Sequence, residues 1–149
     1  FIKKDEKGFI SLNYKENHSE LAYIESLRSN EKISRDKTLF LFAKDIKEKI
    51  GLDFFILLVF GSYIEKDNPR DIDILLIVEE ESLIINVEKI ISNLASHFTK
   101  NFEIQVISIK SMKQMISKRE DINLINETLN KHLFLYGGEI YYKILSDAR

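Results

Sequence analysis

Two long apolar runs dominate the pattern of hydrophobic and polar positions along the chain. The first covers residues 54–60 and ends at Gly61, and the second covers residues 72–78 with Asp73 as its single polar member. Runs of this length are typical of strands that a sheet buries on both faces. A third segment, residues 102–109, starts with alternating apolar and polar positions, which predicts a strand with one buried and one polar face.

Apolar residues elsewhere recur at helical spacing. The predicted helices start near Asn17 and then cover 31–50, a short turn after Ser62, 82–98, 111–118, 121–133 and 139–145, and a β-hairpin over residues 1–14 precedes them. The core positions predicted for the helices after residue 110 are Met112, Met115, Ile116, Ile122, Ile125 and Leu129. We therefore predict an α/β (α+β) fold: a short mixed β-sheet with helices packed against it and an N-terminal β-hairpin.

Composition is consistent with this fold and excludes some kinds of binding surface and metal site. The chain has 149 residues, of which 44% are hydrophobic and 31% charged, as expected for one domain with a core or one domain with a small appendage. The formal net charge of −2 argues against a basic surface over the whole molecule and leaves room for a local basic patch. The chain has no cysteine, which excludes disulfides and thiolate metal sites.

Localisation is predicted from what the sequence lacks. It contains no apolar run of membrane-spanning length and no signal-peptide pattern, so we expect a cytoplasmic protein without a membrane partner. Because the first residue is Phe1, we expect a fragment of a longer protein, with processing as the alternative.

The candidate chemistry lies where the two apolar runs meet polar residues. Asp71 and Asp73 are two apart in a predicted strand, so their carboxylates point to the same face next to the turn at Gly61 and Ser62. Close carboxylates repel each other unless a cation lies between them, and Mg²⁺ commonly binds one or two carboxylates together with substrate phosphates. The backbone N–H groups of a Gly-Ser turn before a helix can hold a phosphate, with Ser62 adding a hydroxyl donor. Together these features indicate phosphoryl or nucleotidyl transfer.

The sequence Gly61-Ser62, the loop that follows and Asp71-Ile72-Asp73, flanked by apolar strands, resemble the signature of the polymerase-beta-like nucleotidyltransferases, most closely their small, minimal members. The resemblance implies the nucleotidyltransferase fold. It also implies transfer of a nucleoside monophosphate from an NTP, expected to be ATP, to an acceptor hydroxyl with release of pyrophosphate. Asp71 and Asp73 would hold one or two Mg²⁺ ions, and Gly61 and Ser62 would hold the β- and γ-phosphates.

The loop between the turn and the aspartates carries two further candidates. Lys66 and Arg70 flank the proposed phosphate site and could contact triphosphate oxygens, with solvated loop charges as the alternative interpretation. The family often has a small residue and an arginine soon after Gly-Ser and a serine before the first aspartate. Here Ile64, Glu65 and Arg70 stand in the neighbouring positions.

Active members of the family place a third carboxylate on the next strand, where it completes the metal site and can accept the proton of the attacking hydroxyl. Glu103 has this chemistry and lies on the polar face of the third predicted strand. In another register Gln105 would take the position, and an amide cannot act as a base. We predict Glu103 as the third ligand and base, with Gln105 as the alternative.

Partner predictions also follow from the resemblance. Some nucleotidyltransferase-like proteins carry an N-terminal winged helix-turn-helix, and the hairpin resembles its wing. We therefore divide the chain into residues 1–28, a possible remnant of such a domain that would bind DNA through upstream residues, and 29–149, the nucleotidyltransferase domain. Alternatively the hairpin extends the surface of the main domain. Small members often pair with a helical partner protein, so the alternative function is a catalytically weak, antitoxin-like or regulatory module that binds a nucleotide or a partner.

Overall fold

A computed structural model describes residues 2–4, 6–8, 10–118 and 122–148, with the backbone alone described for Ser11, Tyr14, Leu129 and Asn130. In this part of the chain a mixed α/β fold combines a four-stranded sheet, a two-stranded hairpin and seven α-helices. The elements in order are β1 (Ile2–Lys4), β2 (Ile10–Leu12), α1 (Tyr14–Arg35), α2 (Lys37–Lys49), β3 (Phe55–Phe60), α3 (Ser62–Glu65), β4 (Asp71–Val78), α4 (Ile84–Ala95), β5 (Asn101–Ser108), α5 (Ile109–Ser117), α6 (Leu124–Asn130), β6 (His132–Tyr136) and α7 (Gly138–Ala148). The predicted α/β class, the mixed sheet and the N-terminal hairpin are confirmed.

The four-stranded sheet has the order β5-β4-β3-β6. β3 is antiparallel to β4 and to β6, whereas β4 and β5 are parallel. All six residues of β3 are buried, as predicted for an apolar run covered on both faces. The three predicted strands are confirmed to within one residue at each end.

Apolar side chains alternate between the two faces of the sheet and build a separate core on each. One core joins alternate residues of β3 to α2 and α4: Phe55, Leu57, Val59, Leu39, Phe42, Ile46, Val87 and Ile91. The other joins the remaining residues of β3 to α1, α5, α6 and α7: Ile56, Leu58, Phe60, Leu21, Met112, Ile116, Ile125 and Tyr141. The sheet is therefore fixed from both sides, which positions its strand ends rigidly.

The fourth strand, β6, corrects the sequence prediction. Residues 132–133 were assigned to a helix and 134–138 to a break, yet His132–Tyr136 pairs with β3. A five-residue apolar run does not distinguish strand from helix by periodicity. Its partner lies more than seventy residues earlier in the chain, so no local pattern reveals the pairing.

The boundary between the first two helices was also predicted wrongly. α1 runs without a stop through residue 31, where a second helix was expected to begin, although its backbone is non-helical at Asn17 (φ −122°, ψ 26°). The break falls at Asp36, whose Oδ1 accepts a hydrogen bond of 3.0 Å from the backbone N–H of Leu39 and so caps α2. The proposed division after residue 28 lies inside α1 and stays a prediction.

Smaller corrections concern three predicted helices. Ile122 was assigned to the core but is 94% exposed, because α6 begins only at Leu124 after the cap of Asn123. The first two residues of the predicted helix 82–98 belong to a 3-10 turn, and α4 ends at Ala95. Met112, Ile116 and Ile125 are buried as predicted, whereas the side chain of Leu129 and residues 119–121 lie outside the described part.

The hairpin leaves Ile2 and Ile10 exposed, at 68% and 70%, so neither side chain joins the two cores.

Across the described segments, none of the helices has the length and apolar character that crossing a bilayer requires.

His132 at the start of β6 is buried among polar groups. Its Nδ1 lies 2.6 Å from the backbone carbonyl of Thr128, and because a carbonyl only accepts, Nδ1 carries the proton. Nε2 then accepts from the hydroxyl of Tyr142 at 3.2 Å. Burial lowers the pKa of His132, and the carboxylate of Glu25, 3.8 Å from Nε2, opposes this shift only in part. The imidazole is therefore neutral in the folded protein at pH 7.

Stability should fall as the pH drops below about 6.5, the ordinary pKa of histidine. The unfolded chain then binds a proton that the folded chain resists, so the free energy of unfolding should decrease by up to about 1.4 kcal/mol per pH unit. Urea denaturation between pH 7.5 and 5.5 measures this slope. His132→Gln should flatten it, and the exposed His97→Gln should leave it intact. Parallel profiles for all three proteins would contradict a neutral, buried His132.

Candidate functional site

The first residues of β4 and β5 bring the predicted carboxylates to one end of the sheet. The two strands are parallel, and their register pairs Asp71 with Asn101 and Asp73 with Glu103. Gln105 pairs with Leu75, about 7 Å further along the strand. The structure thus places Glu103, and not Gln105, beside the aspartate pair.

Gly61 lies directly against Asp73. The glycine ends β3 with φ 69° and ψ −145°, a conformation that side chains rarely adopt. A Cβ atom at this position would overlap Oδ2 of Asp73 and lie 3.2 Å from its Cγ. The glycine therefore permits both the predicted turn and a close approach of the backbone to the carboxylate of Asp73, whereas its approach to a ligand stays a prediction.

The carboxylates perturb one another. Burial raises the pKa of Asp73 above its usual range, and the charge and hydrogen bond of Glu103 raise it further, with smaller contributions from Asp71 and Glu127. Two carboxyl groups can share a hydrogen bond only if one of them holds a proton. A cation between them would replace that proton and remove the repulsion.

Two side chains at the site were missed by the sequence reasoning. Asn101 donates from Nδ2 to Oδ1 of Asp71 at 2.8 Å and so orients that carboxylate. Because it lies two residues before Glu103 in β5, strand alternation could have found it. Glu127 belongs to α6, and only the tertiary structure brings its charge near Asp73.

The carboxylates at this end of the sheet have the chemistry that a hard cation prefers. In residues 2–118 and 122–148, apart from those left undescribed, no group of three or more Asp, Glu or His side chains is arranged to hold a metal ion. The charge of Glu103 beside Asp73 raises the pKa of Asp73, so these two carboxyl groups disfavour each other's ionised form. Asp71, Asp73 and Glu103 offer carboxylate oxygens and Asn101 an amide oxygen at this end of the sheet, and such ligands fit Mg²⁺.

The short helix α3 that carries Ser62 is fixed by α1 and by the helix break. Lys32 donates from Nζ to the carbonyls of Tyr63 and Ile64, at 2.9 and 3.3 Å. The buried hydroxyl of Tyr63 donates to Oδ2 of Asp36 at 2.7 Å, and burial together with this carboxylate raises its pKa above the ordinary value. These contacts hold the Gly-Ser turn in place against β4.

The last residue of α3, Glu65, forms an ion pair with a residue near α6. Glu65 pairs with Lys131, which follows α6, and this ion pair lowers the pKa of Glu65. The pair places the end of α3 beside the residue that follows α6, but both side chains are exposed, so it adds little stability. Glu65, which departs from the family pattern, therefore has a structural partner.

The two basic candidates of the loop are exposed and differ in position. Arg70 directly precedes Asp71, so it stays at the end of β4. Lys66 lines a cavity of about 630 Å³ between α1 and the loop. A second cavity, of about 680 Å³, lies between α1, α2 and the turn before α7. Neither of these two cavities is lined by Asp71, Asp73 or Glu103. Asp71 and Asp73 are half-buried and Glu103 is exposed.

No family model, curated protein or solved structure matches this chain. The resemblance to the nucleotidyltransferases therefore rests on the sequence alone, namely on Gly61-Ser62, the loop that follows and Asp71-Ile72-Asp73 with their flanking apolar strands.

Replacing Gly61 by alanine tests the contact with Asp73. Gly51→Ala is the matched control, because Gly51 also has a positive φ, of 67°, but its Cβ would meet nothing within 4 Å. We expect Gly51→Ala to cost about 1 kcal/mol and Gly61→Ala roughly 2 kcal/mol more in urea denaturation. In an Asp73→Ala background the additional cost should shrink, because the overlap is gone. Equal costs for both glycines would show that the backbone does not press on Asp73.

Proposed function

We propose that this chain is a Mg²⁺-dependent nucleotidyltransferase with the nucleotidyltransferase fold, which transfers a nucleoside monophosphate from an NTP, expected to be ATP, to an acceptor hydroxyl. The observation that carries the proposal is the parallel register of β4 and β5, which sets Glu103 beside Asp73 where Gly61 abuts that aspartate. Three carboxylates and a backbone turn at one open strand end suit a triphosphate and its cation.

Each side chain of the site has its own role in this proposal. Asp71 and Asp73 bind the cation, and Asn101 keeps the first of them oriented. Asp71 and Asp73 would hold Mg²⁺, which would supply neutralisation of the phosphate charge. Gly61 and Ser62 hold the β- and γ-phosphates, and the anchoring of α3 fixes their position.

The transfer step is an in-line substitution at the α-phosphorus. The acceptor oxygen forms a bond to this phosphorus while the bond to the pyrophosphate oxygen breaks. Glu103 accepts the hydroxyl proton, which requires its carboxylate to be ionised. Arg70, exposed beside Asp71, can neutralise charge on the departing phosphates.

A second candidate is a regulatory module that binds a nucleotide or a partner protein without turnover. It is favoured by the charge of Glu103 beside Asp73, which raises the pKa of Asp73, because a proton held by this pair of carboxyl groups opposes a role of Glu103 as a base. Glu103 distinguishes the two functions, because the transfer reaction needs a base and nucleotide binding alone does not.

Mg²⁺-dependent ATP binding tests the metal ligands. Isothermal titration calorimetry should detect ATP binding to the parent with Mg²⁺, and the Asp71→Ala/Asp73→Ala variant should lose it, at least tenfold in Kd, because the cation loses its ligands. Asp53→Ala/Asp147→Ala makes the same charge change at exposed positions and should bind as the parent does. Unchanged affinity in the first variant would refute the assignment of the site.

Glu103→Gln tests the base. We expect this variant to keep Mg²⁺–ATP affinity within a few fold but to release pyrophosphate about 10²–10⁴ times more slowly, with water as the acceptor. Gln105→Ala is the control and should change neither quantity, because Gln105 lies beside Leu75. If the parent binds Mg²⁺–ATP and Glu103→Gln leaves pyrophosphate release unaltered, the chain is better described as a binding module.

A further inference from the structure

A basic groove runs between the C-terminal half of α1 and the loop that leads into β4. It encloses about 630 Å³. Its charged lining consists of six cations, Arg28, Lys32, Arg35, Lys37, Lys66 and Lys100, and three acids, Glu31, Asp36 and Asp67. The lining therefore carries a formal charge of +3, in a chain whose formal net charge is −2.

The cations of α1 form one row. Arg28, Lys32 and Arg35 are spaced four and three residues apart, so they share a face of the helix and follow the groove over about 10 Å. Lys37 continues the row past the break at Asp36. Such a row presents positive charge along a line, as an extended polyanion requires.

Most of this charge is not neutralised within the groove. Lys32 donates to backbone carbonyls, and Lys100 donates to Oδ1 of Asn68 and to the carbonyl of Pro69, both at 3.0 Å. Arg28 and Arg35 pair with glutamates of α1 at 3.6 and 3.1 Å. The Arg35–Glu31 pair is exposed on both sides, and such pairs are worth little, so a phosphate can compete with Glu31. Glu25, the partner of Arg28, is mostly buried and outside the groove lining.

The groove opens at the same end of the sheet as the carboxylates but on the opposite face. Lys100 lies two residues before Phe102, which belongs to the core that contains Tyr63, whereas Asn101 and Glu103 face the other way. The groove is thus distinct from the turn at Gly61 and Ser62. A flexible ligand bound in the groove would pass around the loop at residues 66–70 to reach Asp71.

The lining also indicates what kind of ligand fits. Its apolar members, Tyr63 and Pro69, are buried, with Tyr63 only 4% exposed. Protein interfaces bury apolar and aromatic anchors at their centre, and base recognition by stacking needs an exposed ring. A groove lined by cations, with neither an exposed apolar anchor nor an exposed ring, suits a sugar-phosphate backbone. The path from the groove around the loop at residues 66–70 to Asp71 is bent, which suits a flexible single strand more than a stiff duplex.

We propose that this groove binds the backbone of a single-stranded polynucleotide, whose terminal hydroxyl is the acceptor of the transfer. The second half of this statement rests on the proposed function. In the step, the terminal oxygen bonds to the α-phosphorus of the NTP, pyrophosphate leaves, and Glu103 takes the hydroxyl proton. The product is a strand one nucleotide longer.

Strand binding is tested by fluorescence anisotropy of a labelled single-stranded oligonucleotide of about 12 nucleotides. The titrations contain neither Mg²⁺ nor NTP and are repeated at salt concentrations from about 50 to 200 mM. The variant Arg35→Gln/Lys37→Gln removes two exposed cations of the groove lining, neither of which belongs to the carboxylate cluster. We expect it to weaken binding at least fivefold and to reduce the slope of log K against log salt by about 1.4, since each lost phosphate contact accounts for roughly 0.7. Lys89→Gln/Lys113→Gln, with two exposed lysines on α4 and α5, is the control and should bind as the parent does.

Further arms separate this proposal from the proposed function. Asp71→Ala/Asp73→Ala should keep strand binding even where it loses Mg²⁺–ATP, and a parent that binds Mg²⁺–ATP but no strand overturns the groove proposal alone. Poly-glutamate or a duplex of the same sequence that binds as tightly as the single strand would also overturn it. So would an Arg35→Gln/Lys37→Gln variant that loses Mg²⁺–ATP affinity and leaves strand binding unchanged, because the groove would then hold the nucleotide's phosphates.

Discussion

The contact between the backbone of Gly61 and the carboxylate of Asp73 is the constraint on which the site depends. It exists because β3 and β4 are neighbours and because the chain turns at a residue without a side chain. Any bulk at the turn would push the carboxylate away from the strand end. The same contact holds Asp73 where Glu103 of the adjacent strand can reach it, so one close approach determines the geometry of both carboxylates.

The surrounding fold tolerates a repulsive cluster because it is fixed elsewhere. Both faces of the sheet are covered by apolar cores, and β3 is buried along its whole length. Burial of this apolar surface is the dominant favourable term in folding, and it offsets the unfavourable proximity of acids at one strand end. A local electrostatic conflict within a well-packed fold is the pattern expected of a functional site, since packing alone gives no reason to keep it.

Helix α1 connects the two regions to which we assign function. Through Lys32 it holds the backbone of α3 and thus the Gly-Ser turn, and the same side chain lines the basic groove. Asp36 has a similar double position, because it caps α2 and accepts from Tyr63. The break between α1 and α2 therefore shapes the groove and supports the Gly-Ser turn, although neither residue is part of the carboxylate cluster.

The sequence alone determined the α/β class, three strands of the sheet, the aspartate pair and the glycine turn, because each is encoded in local alternation or in a residue's own backbone freedom. Tertiary structure decided the rest. Pairing of β6 with β3, the choice of Glu103 over Gln105 and the approach of Glu127 depend on contacts between distant segments, which periodicity does not specify. The basic groove belongs to the same class, because its cations come from α1, the loop before β4 and the start of β5, and they meet only when the chain has folded.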